Sequence, residues 1–327
     1  MPGKRILFVS KGEKASSTRY RALQFFPCFT KYGYQPSHVT ASGGLVAILD
    51  ALWQASRADI VVVLRKTFPL TLLWLLRRVS RRLIFDLDDA IFCNSDGSFS
   101  ATRMKRFAAI AKASDHIFAG NRFLAEKSAK FNAAVSIIPT CLDVEKYSIV
   151  ADKPEDHIDL VWIGSTATRK YLVDALPALN LAAQRIPSLR LKIIADFDLP
   201  QAGIPTLAVP WNAATEASEL ASSHIGIAPM RDDDWSRGKC ALKVLQYMAA
   251  GLPVVSSNAG VNAEAVTPGK SGYLVSTPEE WAQAIQTLAS DEKLRRDMGA
   301  EGLSQAKQRY DLSIVSGNIT TILHKCC

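Results

Sequence analysis

Short apolar runs return along the whole chain, and nearly every one is separated from the next by a stretch of helical periodicity. In the first half the runs are RILFVS (5–10), QPSHVT (35–40), DIVVVL (59–64), RLIFDL (82–87), DHIFAG (115–120) and AVSIIP (134–139). Helical patterns lie between them at 17–32, 45–56, 69–80, 101–113 and 121–130. Strands this short and this apolar belong to a parallel sheet covered on both faces, because a strand with one wet face alternates polar and apolar residues. The hydrophilic stretch SIVADKPEDHID (148–159), with Pro154 and five charged residues, interrupts the pattern and reads as a linker.

The alternation then begins again with IDLVWIGS (158–165), LRLKIIAD (189–196), TLAVPW (206–211), SHIGIAP (223–229), PVVSS (253–257) and GYLVS (272–276). Helices are expected over 168–186, 277–289, 291–308 and 311–324. The order predicts an α/β fold of two tandem Rossmann-like, doubly wound domains, 1–150 and 151–327, facing a cleft. The last helix is free to pack back on the first domain. Ligands of such sheets bind beyond the carboxyl ends of the strands.

Composition narrows the class. With 327 residues, 48% of them hydrophobic and 21% charged, the chain has enough apolar material for two cores. Its charge is uneven: residues 1–150 hold 22 Lys/Arg against 11 Asp/Glu, and the remainder 17 against 20. A basic half fits an anionic membrane surface, a phosphorylated substrate or simply a solvated face. Nucleic acid is the weakest partner, since neither interleaved aromatics nor a zinc-finger spacing is present. TFPLTLLWLL (67–76) is too short to span a bilayer, and Lys4 and Arg5 lead into a strand rather than a leader, so a cytoplasmic protein is expected. The six cysteines (28, 93, 141, 240, 326 and 327) have no metal-like spacing and read as reduced thiols.

Four places could carry chemistry. GSTATRKY (164–171) follows a strand and offers Gly164 for close approach, the hydroxyls of Ser165, Thr166 and Thr168, and Arg169 and Lys170 at a helix start. It resembles a phosphate cradle without the full P-loop spacing, and it reads equally as a capped turn. In RGKCALKVLQYMAAGLPVVSS (237–257), a helix drawn from Lys239 at 100° per residue puts Lys243 near 40° and Gln246 near 340°. The three then share one stripe opposite Ala241, Leu242, Val244, Leu245, Met248 and Ala249. Two ammonium groups on a sheet-packed helix need an anionic partner: a phosphate-bearing ligand or, for Lys243, an acid of its own domain.

LIFDLDDAIF (83–92) places Asp86, Asp88 and Asp89 at a strand end, where carboxylates serve a metal, a general base or sugar hydroxyls. The string also resembles the haloacid dehalogenase strand end, which would make Asp86 a phosphoryl-accepting nucleophile. SSTRYRALQF (16–25) opens a helix after the first strand, so Arg19 and Arg21 could meet an acceptor or sit on the surface. Asn121 is placed to cap the helix that follows it and lies at the same rim.

With these residues in view, the chain resembles retaining glycosyltransferases of GT-B architecture, in the family 4 group and its bacterial cell-envelope branch. LKVLQYMAAGLPVVSSNAGVNAEAV, GKSGYLV and EEWAQAIQTLASDEKLRRDMG carry the likeness in the second half, and FDLDDAIF and GNRFLAEKSAKF in the first. The resemblance implies a second domain that binds a nucleotide-diphosphate sugar, a first domain that binds a glycan or lipid-linked acceptor, and no required metal. It implies Gly164, Ser165, Thr166, Arg169 and Lys239 or Lys243 around the diphosphate, with Gly260, Asn262 and Glu264 near the donor sugar. Asp88 would meet sugar hydroxyls, and Asp88, Lys239 and Arg169 are the expected catalytic group; Arg19, Arg21, Asp89 and Asn121 are the expected acceptor contacts. The chain departs from the family at its acid pair, whose first member falls on Gly238 and second on Gln246. Peripheral contact with the inner membrane face would run through 67–82. Rival readings are a non-catalytic nucleotide-sugar-binding partner, a sugar-nucleotide epimerase and the phosphatase.

Overall fold

The computed structural model describes residues 3–13 and 15–326. Among them the chain forms two six-stranded parallel sheets in two compact units. The first half supplies β1 (Arg5–Ser10), α1 (Ser16–Arg21), α2 (Phe26–Lys31), β2 (Gln35–Thr40), α3 (Leu45–Arg57), β3 (Ile60–Leu64), α4 (Leu70–Val79), β4 (Leu83–Leu87), α5 (Ala101–Ala113), β5 (His116–Ala119), α6 (Arg122–Ala129) and β6 (Val135–Ile137). The chain continues through α7 (Val144–Tyr147), β7 (Ile158–Ile163), α8 (Arg169–Arg185), β8 (Leu189–Ala195), β9 (Thr206–Pro210), α9 (Glu216–Ala221), β10 (Ile225–Ala228) and α10 (Asp234–Arg237). It closes with α11 (Leu242–Ala249), β11 (Val254–Ser257), α12 (Gly260–Ala265), β12 (Gly272–Val275), α13 (Pro278–Ser290), α14 (Glu292–Arg309) and α15 (Leu312–Cys326).

Each of the twelve runs read as strands is a strand, so the doubly wound expectation holds for both sheets. The expected helix at 17–32 is broken by a 3-10 turn at Leu23–Phe25, after which Pro27 restarts the chain in the first turn of α2.

The first unit contains the described residues up to Leu142, together with Asp233–Cys240 and the stretch from Leu312 onward. α15 belongs with the first unit, where the last helix was free to pack, and the 233–240 segment with α10 joins it there. Its strand order is β2-β1-β3-β4-β5-β6. Because successive strand residues face opposite ways, Val61, Val63 and Phe85 pack under Ala51, Ala55, Leu73, Leu76 and Phe107 of α3, α4 and α5. Ile60, Val62 and Ile84 face Phe25 and Phe29 on the other side, where Val315, Ile319 and Leu323 of α15 complete the cover.

The second unit contains Asp143–Asp232 and Ala241–Asp311, with the order β12-β11-β10-β7-β8-β9. That is the dinucleotide-fold order, and it reverses between β7 and β10. Leu160, Trp162, Leu191 and Ile193 pack against Leu172, Leu179, Trp281 and Ile285 from α8 and α13.

Among the described residues, no helix is long and apolar enough to cross a membrane. Cys28, Cys93, Cys141 and Cys240 are free thiols; Cys327 of the Cys326-Cys327 tail lies outside the described residues.

Candidate functional site

The second unit prepares a site where its strand order reverses. β7 and β10 pair at Leu160–Ile225 and Val161–Gly226, with no further rungs toward their carboxyl ends. Backbone groups beyond that point need other partners. Tyr247 of α11 supplies both: its hydroxyl accepts from the Ile163 N–H at 3.1 Å and donates to the Ile227 carbonyl at 3.1 Å. The ring lies over Gly226, where a Cβ would stand 2.4 Å from it. Burial raises the Tyr247 phenol well above its ordinary value, so the hydroxyl stays protonated and keeps its donor role.

Beside that tyrosine runs the loop Gly164–Thr168. Ser165 and Thr168 cap one another at a 3-10 turn that feeds α8. Asp196, at the end of β8, accepts from the Thr166 N–H at 2.8 Å and from its hydroxyl at 3.1 Å. Lys243 reaches in from α11, its Nζ 3.1 Å from Thr168 Oγ1 and 4.1 Å from the centroid of the buried Trp162 ring. A Cβ at Gly164 would meet that ring at 2.2 Å and the ammonium at 2.6 Å, so only glycine leaves Lys243 its place. Arg169 is exposed at the start of α8, its guanidinium 5.6 Å over Phe197.

Two cations and the N-terminus of a 17-residue helix thus meet one strand-end loop. Such a place suits an anion, because oriented N–H groups and fixed positive charge need no reorganisation to receive one.

Lys239 does not share the stripe with Lys243. α11 starts only at Leu242, and Ala241 before it is left-handed, with φ of 54°. A helix drawn through Lys239 therefore does not exist, and the side chain turns to the first unit. Its Nζ stands 2.7 Å from Asp89 Oδ1 and 4.5 Å over the Trp235 ring. Asp89 also receives Arg65 at 2.5 Å. Burial pushes the Asp89 carboxyl above its ordinary range, while Lys239 and Arg65 pull it back. The partner of Lys239 is thus Asp89, an acid that the sequence reading does not pair with it.

The rest of the acidic strand end is equally occupied. Arg21 donates to Asp86 through two bonds of 2.9 and 2.7 Å and to the Ile138 carbonyl at 2.7 Å. Against the cost of burial, the Asp86 carboxylate raises the Arg21 guanidinium above its ordinary value. Arg21 is 3% exposed, so it braces β4 against the chain just beyond β6 instead of reaching an acceptor, and it occupies both oxygens of the buried Asp86 carboxylate. Asp88 is the half-open member, with Arg65 Nε 4.0 Å from its Oδ1. Arg19 lies over the Tyr20 ring at 5.0 Å.

Asn121 does cap α6, accepting from the Leu124 N–H at 2.8 Å. Its amide also donates to the carbonyls of Arg237 and Lys239 at 3.0 and 2.9 Å, so it tethers the 233–240 strap and is buried in doing so. Gly238 in that strap has no room for a side chain, since a Cβ would stand 2.5 Å from Ala90 Cβ and from Ala90 N.

Gln246 is buried too, donating to Tyr147 Oη at 3.2 Å. Tyr147 in turn donates to Glu216 at 2.7 Å, and Trp211 donates to the other oxygen of that carboxylate at 2.8 Å. Asn262 donates to the Ala228 carbonyl at 3.2 Å, Gly260 opens α12 with φ of 50°, and Glu264 is exposed. Reading the sequence missed Arg65, Trp162, Asp196, Phe197 and Tyr247. Trp162 had a signal, as a large aromatic at a strand end beside glycine. Arg65 had none, because its φ of 45° is rare for arginine and is written nowhere in the residue types around it.

Residues 157–291 match the family described as Glycosyl transferases group 1. Spore coat protein SA of Bacillus subtilis (strain 168) is 32% identical over 83 residues, 24% of this chain and 22% of that protein. D-inositol 3-phosphate glycosyltransferase of Paenarthrobacter aurescens (strain TC1) is 30% identical over 112 residues, 34% of this chain and 26% of that protein. The chain therefore spans about a quarter of the length of these relatives. The crystal structure of Anabaena HepE in complex with UDP and glucose superposes with a TM-score of 0.76 at 15% identity, over 98% of this chain and 100% of that one. That likeness is one of fold, the two-sheet GT-B architecture.

Proposed function

We propose, for a chain whose residues 157–291 form a Glycosyl transferases group 1 domain, that it transfers a sugar from a nucleotide-diphosphate donor to a glycan or lipid-linked acceptor. The observation that carries this reading is Lys243 over Trp162 beside the Cβ-free Gly164, at the strand reversal of the second unit. The complex of HepE with UDP and glucose supports the same donor class.

In this reading the diphosphate lies against the N-terminus of α8, with Lys243 and Arg169 as its cations. Breaking the anomeric C–O bond leaves both bonding electrons on the diphosphate and positive charge on the sugar. Lys243, Arg169 and the helix N–H groups stabilise that growing negative charge, which is where fixed dipoles contribute most. The acceptor hydroxyl attacks from the leaving group's own face and gives its proton to a diphosphate oxygen, so configuration is retained. No divalent metal takes part, and a chelator leaves turnover unchanged. Asp88, half-buried at a strand end of the first unit, accepts hydrogen bonds from sugar hydroxyls. The acceptor belongs to cell-envelope polysaccharide or lipopolysaccharide synthesis at the inner membrane face, to which the basic first unit is drawn.

The test is thermal unfolding with uridine, guanosine and adenosine diphosphates and their sugars. A ligand at 100 times its dissociation constant adds about 2.7 kcal/mol. One base should shift the wild type, and Lys243→Ala should lose most of that shift. Absence of a shift with every nucleotide would sink the donor reading.

A second reading has an observation of its own. Gly238 offers no side chain and Gln246 is engaged by Tyr147, so both acid-pair positions are silent. A non-catalytic nucleotide-sugar-binding partner follows if nucleotide shifts the wild type while donor is never consumed over a broad acceptor panel.

A further inference from the structure

The outer surface of α3 and α4 has no part in donor binding, yet it is the most apolar exposed face described in the first unit. On α3, Leu45, Leu49, Trp53 and Arg57 recur every fourth residue and fall within about a third of a turn, with Val46 between them. On α4, Leu70, Trp74 and Arg78 do the same. The opposite sides, through Ala51, Ala55, Leu73 and Leu76, are buried against the sheet. Each helix is thus apolar on two sides, and the sheet explains only one. Val46 is 81% exposed, Leu45 72%, Trp74 62%, Leu49 56% and Trp53 55%. α3 and α4 are neighbours in contact, so the two stripes share one side of the unit.

Charge decides what such a face could meet. The two helices carry Arg57, Arg77 and Arg78 against one acid, Asp50. Arg57 lies 3.7 Å over the Trp53 ring and Arg78 lies 5.8 Å over the Trp74 ring, which sets each guanidinium at the level of its indole. Arg81 and Arg82 follow α4 directly, and Asp59 and Asp115 nearby are already paired with Arg81 and Arg77. A twofold dimer through this face would set the same arginines against themselves. An anionic bilayer offers the opposite charge together with an apolar layer, and tryptophan beside arginine suits its headgroup boundary.

We propose that the α3–α4 face lies on an anionic lipid surface, with Trp53, Trp74, Leu45, Val46, Leu49 and Leu70 in the acyl boundary and Arg57 and Arg78 among the phosphates. This deepens the membrane-side acceptor reading, on which it rests for its purpose. It adds α3, with its two exposed apolar residues at the helix start, to the 67–82 segment that the sequence suggested.

Flotation of the full chain with phosphatidylcholine vesicles, with and without phosphatidylglycerol, tests it. The wild type should bind only the anionic vesicles, more weakly as salt rises, with tryptophan emission quenched by brominated acyl chains. The double variant Trp53→Ser, Trp74→Ser should bind at least about tenfold more weakly and lose the quenching, while keeping any nucleotide-induced thermal shift. Three results would overturn the proposal. They are a wild type that does not bind anionic vesicles at low salt, a double variant that binds as tightly as the wild type, and a dimer that the double variant abolishes without any vesicle binding. A missing nucleotide shift in a wild type that binds vesicles would count against the donor reading alone.

Discussion

Lys239 and Lys243 stand four residues apart and do opposite things. The first is held by a buried carboxylate of the first unit, the second by an aromatic ring and a hydroxyl of the second. The first arrangement is closed: Lys239 and Arg65 meet Asp89 and Asp88, as Arg21 meets Asp86 beside them. In the second, Lys243 rests on the Thr168 hydroxyl and the Trp162 ring, Arg169 lies exposed over Phe197, and Asp196 is turned to Thr166. Ion pairs in a buried place hold structure, whereas cations beside a helix N-terminus at a strand end suit a ligand.

The sharpest way to break that comparison is to remove a charge from each side. Asp86→Ala leaves the buried Arg21 unpaired and should cost about 3–5 kcal/mol in urea unfolding. Lys243→Ala should change stability by less than about 1 kcal/mol, because its hydroxyl and ring contacts lie at a half-buried position. Equal losses from the two would show that Lys243 is as structural as Arg21.

Packing gives the next largest effect. Gly238→Ala drives a Cβ into Ala90, and Gly226→Ala drives one into the Tyr247 ring. Each should cost about 1–3 kcal/mol as neighbouring atoms are forced apart. A neutral Gly226→Ala, measured by the same unfolding curve, would show that Tyr247 does not fix the space between β7 and β10.

A pH titration sharpens the comparison within the second unit. His224 accepts from the Asp159 N–H at 3.0 Å through Nδ1, which needs the neutral ring. Burial first, then Lys153 and Arg295, lowers its pKa from 6.5 to about 4, with Asp159 opposing. A depressed folded value means that the contribution is complete above the unfolded pKa and is lost as pH falls from 6.5 toward 4. The loss should be on the order of 1–2 kcal/mol after solvent screening, and His224→Gln should flatten it. A profile unchanged in that variant would assign the acid loss to the carboxylates.

The smallest effect concerns the residue between the two lysines. Ala241→Gly should be neutral or stabilising by up to about 1 kcal/mol, since glycine adopts the left-handed conformation without the Cβ clash. A clear loss in melting temperature would mean that its buried methyl matters more than its backbone.

The architecture was legible because it rests on local periodicity. Runs such as IVVVL, buried at every position, are apolar whatever surrounds them, and helix faces repeat at a fixed angle. Gly164 and the hydroxyls after β7 were legible for the same reason, as a strand-to-helix turn has few ways to be built. The start of α11 was not, because nothing in RGKCALK marks where the chain stops docking on one unit and starts a helix in the other. Ala241 adopts its left-handed turn because Gly238 must fit Ala90 and Lys239 must reach Asp89, contacts with residues about 150 positions earlier. Sequence by itself determined the two sheets, the glycine loop and the excess of positive charge. Which lysine meets Asp89 and which meets the Trp162 ring was decided only by tertiary structure, since a charge's role depends on what lies within a few ångströms of it, and that distance is not written in neighbouring residues.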